Sequence, residues 1–466
     1  MKRIIFLLLV FMTTLTITAQ DITGEWNGAL KVGGMQLRLV FHVEKNDKAY
    51  SATMDSPDQG QKNIPMSKAT FENNVLTIEM AAARINYTGT LFGLDSITGT
   101  FSQGGQNFPM NLTRKAIQRQ EAKRPQNPVK PYPYYSEDLT FENKKDGITL
   151  AGTLTLPKKD GKFPVIVMIT GSGPQNRDEE LLGHKPFLVI ADYLTRNGIG
   201  VLRFDDRGCF ASKGNFKTAT SFDFAGDVEA AVEYLKTRKE TDQKHIGLMG
   251  HSEGGIIAPI VAVNTPDVNF IVLLAGSGVT GGDIMLKQQE DIGAAMAMSK
   301  DDIQKTKEIN TDVFKIISQS TDTAKLRSNL TTYIKSRIKD FSTKDIPKNM
   351  TEDVLAKIQT DNIMSPWMLN FIRYNPAPTL EKVKCAVLAL NGDKDLQVCS
   401  KINLPAIENA LKKGGNTHYT IKELPGMNHL FQECKTGAPS EYAEIEQTIS
   451  PIALDIILNW ITKTVK

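Results

Sequence analysis

Gly250-His251-Ser252-Glu253-Gly254 is a run whose residue types and spacing could build a nucleophile. A short apolar strand, Ile246-Gly247-Leu248-Met249, enters it, and the apolar helical stretch Ile256-Ile257-Ala258-Pro259-Ile260 follows. A serine at such a strand-to-helix turn is pushed out of the backbone's path, and small residues on either side let the chain cross itself. A hydroxyl is a poor nucleophile until a base removes its proton, so the run needs partners. In this arrangement an acid and then a histidine follow, each after a later strand. Asn391-Gly392-Asp393-Lys394-Asp395 comes after the apolar run 386–390 and offers two acids, of which Asp395 fits the spacing better and Asp393 is the alternative. Pro425-Gly426-Met427-Asn428-His429 follows the run 419–424. His42 lies in a different segment, His184 and His245 precede the serine, His251 is inside the turn, and His418 enters a strand. His429 is left as the base. An oxyanion hole needs two backbone N–H donors. Glu253, next after the serine, is one candidate donor; Ser172 in Gly171-Ser172-Gly173-Pro174 is the other.

The elements that must carry these residues are short β-runs alternating with helical segments. Val165-Ile166-Val167-Met168-Ile169 is continuously apolar, as a parallel strand buried on both faces requires. Further strands are expected at 148–156, 200–204, 246–249, 270–274, 386–390 and 419–424, with helices at 187–197, 227–236 and from about 255. That rhythm predicts an α/β domain over 136–466 built on a doubly wound, mostly parallel sheet. Residues 282–378 break it with helical pattern alone. An insertion of that length above the sheet's carboxyl edge reads as a helical cap, with Trp367 and Phe371 as its pocket wall. Residues 20–115 alternate with period two between turn signals such as Gly33-Gly34, Asn46-Asp47 and Gly104-Gly105, which predicts a small antiparallel barrel or sandwich. Such a domain serves as a packing or dimerising module, or as a ligand- or glycan-binding accessory. The four prolines of 116–135 favour an extended linker over helix.

Residues 1–19 read as a signal peptide: Lys2 and Arg3 precede a short apolar stretch, and a small residue, Ala19, ends it. The mature chain is accordingly expected to be exported, periplasmic or extracellular, and soluble, with no span of the membrane. A formal charge of +3 gives no reason to expect nucleic acid as a partner. No His, Cys, Asp or Glu cluster has metal-ligand spacing, so neither metal nor organic cofactor is expected. With four cysteines the chain is not disulfide-rich. Cys399 and Cys434 follow the proposed acid and base by four and five positions, and a bridge between them is one arrangement this permits.

From about Leu139 onward the chain resembles the bacterial α/β-hydrolases of the serine aminopeptidase-like and acyl-hydrolase (esterase) type. The resemblance is carried by Thr170-Gly171-Ser172-Gly173-Pro174-Gln175-Asn176-Arg177-Asp178, Arg203-Phe204-Asp205-Asp206-Arg207-Gly208, the Ser252 run, Gly392 with Asp395, and Asn428-His429-Leu430-Phe431-Gln432. The chain departs from the family at Cys209-Phe210-Ala211-Ser212, where a glycine is usual at the position of Phe210. The resemblance implies an α/β-hydrolase fold and a serine hydrolase using Ser252, His429 and Asp395. The leading expectation is hydrolysis of a small-molecule or oligomeric carboxylic ester through an acyl-enzyme. A peptidase or thioesterase with the same triad is the alternative, and a non-catalytic glycan or peptide binder the third.

Overall fold

The computed structural model of the chain describes residues 21–32, 35–46, 49–103, 106–118, 123–338 and 351–466. The expected signal peptide and the turn glycines Gly33-Gly34 and Gly104-Gly105 lie outside those residues, as does Asp47. The chain divides into two compact units, one ending at Gln120 and the other beginning at Glu121.

In the first unit, eight antiparallel strands close into a barrel. The closing strand, Leu112–Thr113, pairs with Gly24–Val32 on one side and with Ser96–Gln103 on the other. Strict alternation in the sequence becomes strict alternation of burial: along Ile85–Phe92 every second residue points inward. Trp26, Phe41, Tyr87 and Phe101 fill the interior, and the Trp26 indole N–H is satisfied by Ile22 O at 2.8 Å.

The second unit is built on eight strands: β1 (Tyr135–Asn143), β2 (Ile148–Leu156), β3 (Phe163–Ile169), β4 (Gly200–Phe204), β5 (Thr241–His251), β6 (Val268–Leu274), β7 (Ala386–Gly392) and β8 (Tyr419–Leu424). Their order across the sheet is β1-β2-β4-β3-β5-β6-β7-β8. The first two pairings are antiparallel and the remaining five parallel. β1 opens the expected α/β domain, overlapping the linker only at Tyr135, and the sequence does not mark it as a strand because its exposed face is polar. Helices α1 (Pro186–Arg196), α2 (Ser221–Lys236) and α3 (Gly254–Asn264) connect the central strands. The sheet separates two apolar cores, one on each of its faces. The five apolar residues 165–169 of β3 are all buried, contributing roughly 1.5–3 kcal/mol per large side chain.

Between β6 and β7 stand α4 (Gly281–Ala295), α5 (Lys300–Gln319), α6 (Thr323–Arg337), α7 (Glu352–Ile363), α8 (Pro366–Arg373) and the single turn α9 (Ala377–Leu380). Thr280, Ser299, Asp322, Thr351 and Ser365 each cap the helix they precede by accepting a backbone N–H. Val313, Ile317, Leu330, Ile334 and Ile372 form a separate small core for this insertion. α10 (Ser400–Lys413) and α11 (Pro451–Thr464) complete the unit. No helix among the described residues is long and apolar enough to cross a membrane. All four cysteines are free, so the Cys399–Cys434 bridge does not form; Cys434 Sγ donates instead to Gly426 O at 3.5 Å.

Candidate active site

Ser252 stands between the end of β5 and the start of α3 with φ +52°, a conformation that costs a non-glycine residue on the order of 1–2 kcal/mol. Two contacts explain its glycine neighbours. A Cβ on Gly250 would lie 1.9 Å from Gly254 O, and one on Gly254 would lie 2.2 Å from Ile169 O. The Ser252 amide donates to Leu274 O at 2.8 Å, tying the turn to β6. Its side chain is half-buried and, among the described residues, its hydroxyl has no hydrogen-bond partner.

Of the two acids, Asp395 meets the histidine. His429 Nδ1 lies 2.8 Å from Asp395 Oδ2, and Asp395 Oδ1 accepts the amides of Gln397 and Val398, each at 2.8 Å. Asp393 is exposed and accepts the Gly426 amide at 2.6 Å, which laces the two loops together. Asn428 holds the histidine loop: its Oδ1 accepts the amides of Leu430 and Gln432, and its Nδ2 donates to Gln432 Oε1. Gln432 in turn rests on the buried ring of His184, which burial holds down at about 4. The ring of His429 packs on His251, the residue before Ser252, at 4.8 Å between centroids.

Among the described residues the amides of Ser172 and Glu253 donate to no protein acceptor. The Gly171 amide is spoken for, at 2.6 Å from Glu179 Oε1. Gly171 also packs against the nucleophile turn, since a Cβ there would lie 3.3 Å from Ser252 Cβ. The Glu253 carboxylate points away into the protein. It accepts Ser221 Oγ at 2.6 Å and the Trp367 indole N–H at 2.9 and 3.0 Å, and burial raises its pKa against those hydrogen bonds. Trp367 stacks on Phe371 at 5.0 Å, so α8 sets Trp367 against Glu253, the residue after Ser252, with Phe371 stacked on it.

Behind the turn, Asp206 accepts Thr170 Oγ1 at 2.6 Å and the Gln175 amide at 2.9 Å. Burial pushes its pKa up to about 7 despite those bonds, with the nearby Glu179 and Glu253 adding to the rise. A cavity of about 10 Å³, room for one water, lies between Asp206 and Glu253. Asp206, Glu179 and the Trp367–Glu253 contact carry no signal in local spacing. Only the string 203–208, already part of the family resemblance, marks Asp206 in the sequence. The departure at Phe210 has a backbone consequence: it sits at φ +47°, where glycine is at ease, with its ring 71% exposed. Among the described residues there is no group of three or more His, Cys, Asp or Glu able to hold a metal.

A profile of the X-Pro dipeptidyl-peptidase (S15) family matches residues 146–418, more than half of the chain. The chain belongs to that family. The matched stretch contains Ser252 and Asp395 and stops before His429. Esterase EstD of Thermotoga maritima is 33% identical over 168 residues, covering 35% of this chain and 40% of that enzyme. The chain thus matches less than half the length of this relative. Among solved structures, the α/β hydrolase GrgF of Penicillium sp. sh18 covers 71% of this chain and 99% of its own at 14% identity and a TM-score of 0.43. The Pyrococcus furiosus esterase Pf2001 covers 71% and 93% at 13% identity and a TM-score of 0.42. With its sheet order, its S15 match and an N-terminal barrel, the protein is an α/β-hydrolase of the esterase and serine-peptidase group.

Proposed function

We propose that this S15-family chain is a serine hydrolase that cleaves carboxylic esters with Ser252 as nucleophile, His429 as base and Asp395 as its orienting acid. The observation that carries the reading is the 2.8 Å bond from His429 Nδ1 to Asp395, in loops that stack the imidazole against the Ser252 turn. Asp395 keeps the proton on Nδ1 and leaves Nε2 free to take the serine's proton. Ser252 Oγ then attacks the ester carbonyl, and the Ser172 and Glu253 amides stabilise the negative oxygen that develops. His429 returns the proton to the leaving alcohol, and water releases the acyl group by the reverse sequence. The open Ser252 hydroxyl is in keeping with catalytic contacts that tighten only when substrate binds.

The family match favours a second reading, cleavage of a peptide with a free amino end by the same triad. Against it stands Glu253, the acid nearest the nucleophile in sequence, whose oxygens are already taken by Trp367 and Ser221 and so do not hold a substrate ammonium group. The leader-like residues 1–19 support an exported enzyme under either reading. Parallel assays on p-nitrophenyl esters and on aminoacyl or Xaa-Pro anilides separate the two. Ester turnover that disappears in Ser252→Ala is the expected result. Equal ester turnover in wild type and Ser252→Ala would end the serine-hydrolase reading, and anilide turnover in excess of ester turnover would transfer it to peptides.

A further inference from the structure

Beneath the Ser252 turn lies a buried pair that the mechanism above does not use. His251 Nδ1 is 3.0 Å from Glu179 Oε1, and His251 Nε2 is 3.0 Å from the backbone oxygen of His429. The same Glu179 oxygen accepts the Gly171 amide at 2.6 Å. Both side chains are more than nine-tenths buried. Three loops therefore meet at one imidazole: the nucleophile turn that carries it, the loop of the base, and the glycine turn with the expected oxyanion donor.

The protonation of this imidazole follows from its partners. A backbone carbonyl only accepts, so Nε2 must carry a hydrogen; an ionised carboxylate only accepts, so Nδ1 must carry one too. Beside an ionised Glu179, a neutral imidazole has a single N–H and can keep only one of the two bonds. We infer that His251 and Glu179 are positioning residues of the reaction, a buried imidazolium–carboxylate pair that sets the distance from Ser252 to both His429 and the oxyanion turn. The inference rests on the serine-hydrolase reading for its effect on rate, but not for the existence of the pair.

The charges around His251 agree with that state. Burial, the largest single influence, would drive the proton off, but the charge and hydrogen bond of Glu179, the His429 carbonyl and Asp395 together outweigh it, so the pKa is raised. His429 faces the ring from its own loop, and the rest of the wall, from Phe187, Ile190, Leu274 and Phe431, is apolar. Because the cation is the form that holds both bonds, the contribution is present below the His251 pKa and is lost as pH rises through it.

Asparagine and glutamine at position 251 divide the two bonds, since an Asn amide nitrogen falls near Nδ1 and a Gln amide nitrogen near Nε2. His251→Asn keeps the bond to Glu179 and loses the one to the His429 loop. It is expected to lower kcat about 10²-fold, the order of loss for a displacement of about 1 Å, with KM within about threefold. His251→Gln restores the donor to His429 O and is expected to stay within about tenfold of wild type. Glu179→Gln removes the charge that retains the proton, and the alkaline fall in kcat should move to lower pH by more than one pH unit. Equal losses in His251→Asn and His251→Gln, or no loss in either, would overturn the inference, as would an alkaline limb that Glu179→Gln leaves in place. Should the variants fail to fold, ¹⁵N NMR of the wild-type His251 ring decides: two N–H signals persisting above pH 7 support the pair, and a neutral ring at pH 6 refutes it. Ser252→Ala, run alongside, tests the underlying reading by itself. An inactive Ser252→Ala with unaffected His251 variants sinks only the present inference, whereas an active Ser252→Ala sinks the serine-hydrolase reading and leaves the NMR result standing.

Discussion

Replacing Asp395 by asparagine tests the proposed triad with little disturbance to the fold. Asp395 Oδ1 accepts two backbone amides and Oδ2 faces His429 Nδ1, all at 2.8 Å in a buried site. In Asp395→Asn the carbonyl oxygen must stay with the amides of Gln397 and Val398, because a side-chain NH₂ cannot accept from them. The NH₂ is then directed at His429 Nδ1. Two donors cannot face each other, so His429 changes tautomer: Nδ1 becomes bare and the proton moves to Nε2, the nitrogen that has to accept the serine's proton. The hydrogen-bond count at position 395 is unchanged, and the melting temperature should move by no more than about 2 °C, since ~1 kcal/mol is worth only a few degrees in a chain of this size. The rate should not survive. A wrong tautomer at this position costs about 10⁴ in kcat, or about 5.4 kcal/mol of barrier. The assay is kcat on a p-nitrophenyl ester beside a thermal melt, with Asp393→Asn as control, expected at wild-type rate because the Gly426 amide keeps its acceptor. A folded Asp395→Asn with kcat within tenfold of wild type would refute the assignment.

Three further outcomes are expected. Asp206 holds its proton in the folded chain up to about pH 7, whereas an unfolded aspartate loses it near 4; folding takes up a proton between those values, and stability falls as pH rises through that window. Asp206→Asn can keep both hydrogen bonds with the Thr170 hydroxyl reversed, so it should gain stability over wild type between pH 5 and 8 in urea titrations, by on the order of a few kcal/mol; a difference that does not grow with pH would contradict this. Phe210→Gly relieves a left-handed backbone at an exposed ring; about 1–2 kcal/mol of relief less about 0.4–1 of added unfolded-state entropy leaves a net gain of about 0.5–1 kcal/mol, read as a higher denaturant midpoint at unchanged slope. Trp367→Phe keeps a ring against Phe371 but removes one donor from the buried Glu253 carboxylate, and should cost about 1.5–3 kcal/mol in the same titration; an unchanged midpoint would mean that α8 is not anchored there.

Much of the α/β unit was legible from periodicity. Strands at 148–156, 200–204 and 419–424 coincide with the observed β2, β4 and β8, and the insertion expected at 282–378 begins one residue early, with helices and no strand among its described residues. The expected helix at 227–236 begins six residues earlier, at Ser221, because Thr220 and Asp223 form a capping box that overrides the weak apolar pattern of the first turn. β1 was missed because an edge strand with one polar face, following a proline-rich stretch, has no continuous apolar run. The candidate site divides the same way. His429 emerged by elimination in the chain order, but the choice between Asp393 and Asp395, two residues apart in one turn, needed the loop's path.

What the sequence determined by itself was the order of chemistry along the chain: a serine on a strand-to-helix turn, then an acid, then a histidine, each after an apolar strand. It could do so because a parallel strand buried on both faces must be apolar, and residues at its carboxyl end share one edge of the sheet. What only the tertiary structure decided was which side chains meet across that edge. Glu179 and His251 are 72 residues apart, Glu253 and Trp367 are 114, and His251 and the backbone of His429 are 178. Contacts at such separations follow from how helices and loops pack on the finished sheet, and no local period or propensity encodes them. The Ser252 turn is therefore readable in five letters, while the buried imidazole beneath it becomes legible only when the three loops have closed around it.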